Sequence, residues 1–168
     1  MKRNKYNLDK IKLLLLDVDG VMTDGSITID FTKNDRLTFH VHDGYGIVQA
    51  IKNGILVGII TGRKSIAAKE RATRLGIKEF HWGVINKIPV YEKIKKKYHL
   101  EDIEIAYIGD DLPDLSIIKK VGFSVAPKNA REELFKHVDY ITKTKGGKGA
   151  VREVIDLIFK SKKIQMGE

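Results

Sequence analysis

The sequence predicts an α/β protein: a doubly wound, Rossmann-like, mainly parallel sheet with a β-hairpin insertion and no cap domain. Three observations carry that prediction. Short apolar runs end abruptly in Asp or Thr-Gly, the pattern of strands buried on both faces. Segments with helical spacing separate these runs, an alternation that lays strands parallel. The 168 residues suit one domain, so 1–168 reads as a single unit.

The elements follow in order. Ile11 to Leu16 is a continuous apolar run that stops at Asp17. Ser26 to Val41 alternates, with Ile27, Ile29 and Phe31 on one face, then Leu37, Phe39 and Val41 after the turn Thr32-Lys33-Asn34-Asp35. This predicts a hairpin over about 26–41 with one apolar face, and it places His40 and His42 on one side at the hairpin's end. Gly44 to Lys52 reads as a helix closed by Asn53-Gly54. Ile55 to Ile60 is a second buried strand, and Lys64 to Leu75 a basic amphipathic helix stopped by Gly76. Glu79 to Trp82 reads as a short strand and Ile88 to Tyr98 as a helix with Pro89 in its first turn. Glu104 to Ile108 is the next strand, ending at Gly109-Asp110. Helix Asp114 to Val121, strand Phe123 to Val125, helix Ala130 to Lys136, strand Asp139 to Ile141 and helix Gly149 to Phe159 complete the pattern. A tail over about 160–168 reads as mobile.

Composition narrows the function. The absence of cysteine removes disulfides, thiolate metal sites and thiol nucleophiles. The net charge of +9 suits a polyanion, yet the basic residues are scattered at helical spacing with no reader motif, so no nucleic-acid partner is expected. No apolar run approaches the ~20 residues that span a bilayer. Leu13 to Leu16, closed by Asp17 and Asp19, is too short for a signal peptide, and the expectation is a cytoplasmic protein without a membrane partner.

In doubly wound sheets ligands bind beyond the carboxyl ends of the strands, where strand order reverses. Those ends carry Asp17-Val18-Asp19-Gly20, Thr61-Gly62-Arg63 and Gly109-Asp110-Asp111-Leu112-Pro113-Asp114. Asp17, Asp19 and Asp110 converging on one edge would repel one another, and a divalent cation relieves that repulsion. Oxygen-only ligands favour a hard ion such as Mg²⁺. His40 and His42 lack a third nitrogen ligand, which favours a substrate or interface role over a transition metal.

Leu-Leu-Leu-Asp17-Val-Asp19-Gly-Val-Met-Thr-Asp-Gly, Ile-Ile-Thr61-Gly-Arg, Lys87 and Gly-Asp110-Asp111-x-x-Asp114 resemble the four ordered motifs of haloacid-dehalogenase-superfamily phosphatases. Asp-Gly-Tyr-Gly-Ile (43–47) and Gly-Gly-Lys-Gly-Ala-Val-Arg-Glu (146–153) resemble the uncapped subfamily that acts on 3-deoxy-D-manno-octulosonate 8-phosphate in lipopolysaccharide sugar synthesis. The resemblance implies that Asp17 is the nucleophile and Asp19 the general acid and then base, with Thr61 and Lys87 completing the catalytic set. It implies Mg²⁺ held by Asp17, the Asp19 main-chain carbonyl and Asp110, with Asp111 and Asp114 orienting that shell. It assigns a small anionic phosphosugar acid to Asp19, His40, Val41, His42, Asp43, Gly44, Gly62, Arg63, Arg71 and Lys87. Arg63 and Arg71, at i and i+8 near one helix, are expected to face the same cleft.

The chain departs from the commonest pattern at His42 and Val48, where arginine is frequent, so a nine-carbon sugar acid 9-phosphate stays open as substrate. A non-catalytic basic binding module is the reading from a different class. Only 44 positions separate Asp17 from Thr61 and 26 separate Thr61 from Lys87, too few for a cap. An uncapped site with an apolar hairpin needs covering, and the resemblance implies a homotetramer built through the hairpins.

Overall fold

Four consecutive leucines, Leu13 to Leu16, are all buried, and the strand's period of two divides them between two cores. Leu14 and Leu16 join one apolar cluster, and Leu13 and Leu15 the other. The computed structural model describes residues 6–29 and 35–165. In chain order the elements are β1 (Leu13–Leu16), β2 (Thr28–Ile29), β3 (Asp35–Arg36), α1 (Val41–Lys52), β4 (Leu56–Ile60), α2 (Ile66–Arg74), β5 (Glu79–His81), α3 (Ile88–Lys97), β6 (Ile105–Ile108), α4 (Leu115–Ile118), β7 (Phe123–Ala126), α5 (Glu132–Phe135), β8 (Tyr140–Ile141) and α6 (Ala150–Lys162). Six strands form one sheet in the order β5-β4-β1-β6-β7-β8, and every pairing in it is parallel.

The chain steps outward from β1 to β5, then returns to β6 on the other side of β1 and steps outward again. Right-handed crossovers then put the helices of the outward run to β5 on one face and those that follow β5 as far as β8 on the other. Apolar residues of α1, α2 and α6 pack in one core, and those of α3, α4 and α5 in the other. The order reverses beside β1, so the strand ends of β1, β4 and β6 share one crevice. Among the described residues no helix is long and apolar enough to cross a membrane.

Three boundaries differ from the sequence reading. Among the described residues the hairpin is a separate ladder of two residues per strand, and the chain beyond Arg36 leaves it to enter α1 at Val41. Leu37 and Phe39 pack against the core, whereas Ile27, Ile29 and Val41 stay exposed, so the expected single apolar stripe is divided. Phe31 lies outside the described residues. His40 and His42 therefore flank the start of a helix and do not end a strand, with their rings edge to face at 5.0 Å. The last helix runs to Lys162 and Ile164 packs on the core, which shortens the expected mobile tail from its beginning. Residues 166–168 of that tail lie outside the described residues.

At the edge of the sheet, Glu79 of β5 accepts hydrogen bonds from Lys97 Nζ and Tyr98 Oη and pairs with His81 Nε2 at 2.9 Å. Burial alone would raise its pKa, but these partners hold it at about 2 against an ordinary 4.5. The stabilisation is complete above the unfolded-state value and is lost as pH falls toward 2. Glu79→Gln is expected to cost about 1 kcal/mol at pH 7, solvent at the edge screening the pair. Urea unfolding at pH 7 and pH 3 checks this, with the difference between variant and wild type shrinking at the lower pH.

Candidate active site

Each strand end at the reversal contributes side chains because the backbone there has run out of ladder partners. Asp17 directly follows β1, its N–H donating to Ile108 of β6 at 3.0 Å. Val18 N–H turns back onto Asp17 Oδ1 at 2.7 Å, fixing that carboxylate. Thr61 follows β4, with its N–H on the His81 carbonyl and its carbonyl accepting from Val84. Gly109 extends β6 by one bond to Val125, after which Asp110 enters the crevice. Gly20 makes room for it: at φ +79° it holds a left-handed turn, and a β-carbon there would fall 2.0 Å from Asp110 Oδ2. The Asn129 carboxamide backs this turn, donating to the Gly20 carbonyl at 3.0 Å and accepting from Gly146 N–H at 2.6 Å.

Lys87 lies at the N-terminal boundary of α3, where a cation is poorly placed against the helix dipole. Its side chain is 2% exposed and reaches under the crevice. There Nζ meets Asp114 Oδ1 at 2.6 Å, Asp17 Oδ2 at 3.1 Å and Tyr107 Oη at 3.2 Å. Burial alone would lower its pKa, but the charges of Asp17 and Asp114 turn the shift upward. Asp114 is also fully engaged, its Oδ2 accepting from the N–H groups of Asp110 (2.9 Å) and Asp111 (3.3 Å). Asp111 caps the turn Leu112–Asp114 through its own carboxylate.

One lysine does not balance these carboxylates. Burial, then Asp17, Asp114 and Asp111, push Asp110 up to about 8; burial and Asp114 push Asp17 up to about 6 in spite of Lys87. Oxygens of Asp17, Asp110 and Asp114 lie within 4.8 Å of one another. A hard divalent cation fits this all-oxygen, charge-frustrated set. Of the three, Asp114 already has four donors, which leaves Asp17 and Asp110 as the carboxylates with capacity for a metal.

The crevice, about 370 Å³, is lined by Asp17, Asp19, Thr61, Gly62, Arg63, Lys87, Asp110, Asp111 and Asp114 among others. Arg63 does not offer a free fork to it. Nε and Nη2 pair with both oxygens of Asp19 at 3.0 and 2.5 Å, and Nη1 pairs with Asp35 of β3. Arg71 corrects the sequence reading. It lies under α1 with its guanidinium over the Phe39 ring, against Gly44, where a β-carbon would meet Nη2 at 2.2 Å. Arg63 precedes α2 whereas Arg71 is within it, so helical spacing never applied to the pair. His40, Val41, His42, Asp43 and Gly44 likewise stand outside this crevice, and Asp43 Oδ1 accepts from Arg152 N–H in the first turn of α6 at 2.8 Å. Sequence reading missed Asp35, Tyr107 and Asn129. In the sequence Asp35 reads as part of the hairpin turn, Tyr107 reads as a core strand residue, and Asn129 carries no motif.

Comparison with known proteins identifies the family. A model of the haloacid dehalogenase-like hydrolases matches residues 81–155. The 3-deoxy-D-manno-octulosonate 8-phosphate phosphatase KdsC of Escherichia coli (strain K12) is 43% identical over 151 residues, 90% of this chain and 80% of that protein. The chain belongs to this phosphatase family. Among solved phosphatases, that of Moraxella catarrhalis, in complex with magnesium, phosphate and KDO, superposes with TM-score 0.90 at 40% identity, covering 93% of this chain and 90% of that one. The Yersinia pestis phosphatase gives TM-score 0.91 at 41% identity, covering 93% and 84%. The cobalt-bound Haemophilus influenzae phosphatase gives 0.89 at 36%, covering 93% and 91%.

Mg²⁺ at a hundredfold its dissociation constant should add about 2.7 kcal/mol of stability to the metal-free protein. Asp110→Asn is expected to raise the metal-free melting temperature by removing a like charge and to abolish the Mg²⁺ response. Asp24→Asn, on the exposed turn beside Ser26, should leave both unchanged. Thermal melts with and without Mg²⁺ check all three.

Proposed function

We propose that the chain is a Mg²⁺-dependent phosphatase that hydrolyses 3-deoxy-D-manno-octulosonate 8-phosphate through an aspartyl-phosphate on Asp17. The observation that carries the reading is the orientation of Asp17, held by Val18 N–H on one oxygen and Lys87 on the other at the mouth of the crevice. A carboxylate so fixed presents a lone pair without reorganising at the moment of attack.

In the first half-reaction an Asp17 oxygen bonds to phosphorus, the phosphorus–sugar oxygen bond breaks, and Asp19 gives its proton to the departing oxygen. In the second, Asp19 takes a proton from water as the water oxygen attacks phosphorus, and Asp17 is released with inorganic phosphate. Asp17 and Asp110, with the Asp19 main-chain carbonyl, would hold Mg²⁺, which supplies charge neutralisation for the phosphate. Lys87, hydrogen-bonded to Asp114 and Tyr107 and ion-paired with Asp17, acts by charge and orientation. Thr61 and Gly62 form the wall against which the phosphate rests. Arg63 links binding to proton transfer: an incoming carboxylate or phosphate that competes for its guanidinium frees Asp19 from the bidentate pair.

The assembly we propose is a homotetramer. Ile29 is 71% exposed, Val41 77% and Ile85 92%, the last on the crevice lining. Such apolar surface favours cover by another subunit. The segment His40 to Gly44, outside its own crevice, is then available to a neighbour's substrate. A stable, fully active monomer in light scattering would overturn this, and Ile29→Asp is expected to shift the protein to smaller species.

Phosphate release from the eight- and nine-carbon sugar acid phosphates, with and without Mg²⁺, tests the activity. The eight-carbon ester should turn over faster, and only with metal. Asp17→Asn should lose about 10³-fold or more in kcat. Undiminished turnover in that variant removes Asp17 as nucleophile, and faster release from the nine-carbon ester reassigns the substrate.

A further inference from the structure

We infer that Tyr107 is a positioning residue for the phosphatase reaction, its hydroxyl fixing the Lys87 ammonium beneath Asp17. This rests on the activity proposed above. Tyr107 is fully buried on β6, in the second core beside Leu15 of β1, where a phenylalanine would satisfy packing alone. Its hydroxyl donates to Asp114 Oδ1 at 2.5 Å and accepts from Lys87 Nζ at 3.2 Å. The Lys87 ammonium lies 2.6 Å from Asp114 Oδ1, 3.2 Å from Tyr107 Oη and 3.1 Å from Asp17 Oδ2. Because the hydroxyl is itself bonded to that Asp114 oxygen, the two share one side of the ammonium and Asp17 takes another. The hydroxyl is the neutral member of this cluster, and it competes with the lysine for Asp114.

The hydroxyl also acts on Asp114. By donating to Oδ1, it shares that oxygen with Lys87, so the lysine is not drawn wholly to Asp114 and keeps its third contact with Asp17. Without the hydroxyl, a buried N–H loses its acceptor and Oδ1 loses a donor. Lys87 then moves toward Asp114 and away from Asp17, whose Oδ2 loses its only cationic contact among the described residues. Asp17 remains present but less well oriented, so the loss falls on turnover more than on substrate affinity.

Tyr107→Phe is expected to lower kcat about tenfold with KM within about twofold. In a Lys87→Met background the same substitution should change kcat by less than about twofold, since its effect passes through the lysine. A twofold or smaller loss in the wild-type background overturns the inference, as does an equal loss in both backgrounds. Rates are taken on p-nitrophenyl phosphate as well as the sugar acid ester. Inactivity of the wild type on both would refute the phosphatase reading and leave the Tyr107–Lys87 contact to a second measurement. In metal-free protein labelled with ¹⁵N-lysine, NMR should show one slowly exchanging ammonium in the wild type that exchanges faster in Tyr107→Phe. Finding no slow ammonium in the wild type, or an unchanged one in Tyr107→Phe, overturns the inference.

Discussion

A single buried ammonium ties this crevice together. Lys87 belongs to the segment leading into α3, Asp17 to the end of β1, and Asp114 to the turn after β6. Three parts of the chain, far apart in sequence, thus meet at one nitrogen. Removing the ammonium would leave two carboxylates buried without compensation, among the costliest defects a protein interior can hold. The rest of the crevice is arranged around that constraint. Asp114 uses its other oxygen to hold the loop bearing Asp110, and the turn at Gly20 leaves space for Asp110 to point inward. The excess of carboxylate over lysine is what gives the site its appetite for a divalent cation.

Much of this was legible because parallel strands announce themselves. Leu13 to Leu16 and Ile105 to Ile108 are buried on both faces, so their apolar runs are unbroken and their ends stand out as Asp17 and Gly109-Asp110. The placement of Lys87 was legible for a different reason: a lysine at a helix start has no local justification, and only a distant partner supplies one. The hairpin was over-extended because alternation in Leu37, Phe39 and Val41 looks the same whether the chain pairs with a strand or lies across a core. The core claims Leu37 and Phe39, and α1 begins at Val41. Arg71 misled for lack of three-dimensional context, since sequence spacing cannot reveal that Gly44 opens a slot for its guanidinium. Asp35 and Tyr107 were invisible as site residues because nothing local distinguishes them from a turn former and a core aromatic.

The net charge of +9 takes on a limited meaning. The cations that matter to the crevice are Lys87 and Arg63, and both are already paired with aspartates of the same chain. They therefore serve as fixed dipoles with an anion built in, and in the proposed reaction an incoming anionic ester would compete for Arg63 on terms set by Asp19 and Asp35. Such competition favours a substrate with more than one negative group. A lone phosphate would have to displace a bidentate carboxylate unaided.

The carboxamide of Asn129 joins the Gly20 turn to Gly146, and its bond to Gly20 spans 109 residues of chain. The pairing of Asp43 with the first turn of α6 spans the same separation. Contacts of such range are the slow ones to form, because a long loop must close before they reward it. The loop bearing Asp17 and Asp19 leaves the ribosome first, and the carboxamide that backs it follows 109 residues after Gly20. A nascent fragment carrying Asp17 and Asp19 alone thus holds these carboxylates without the scaffold that aims them.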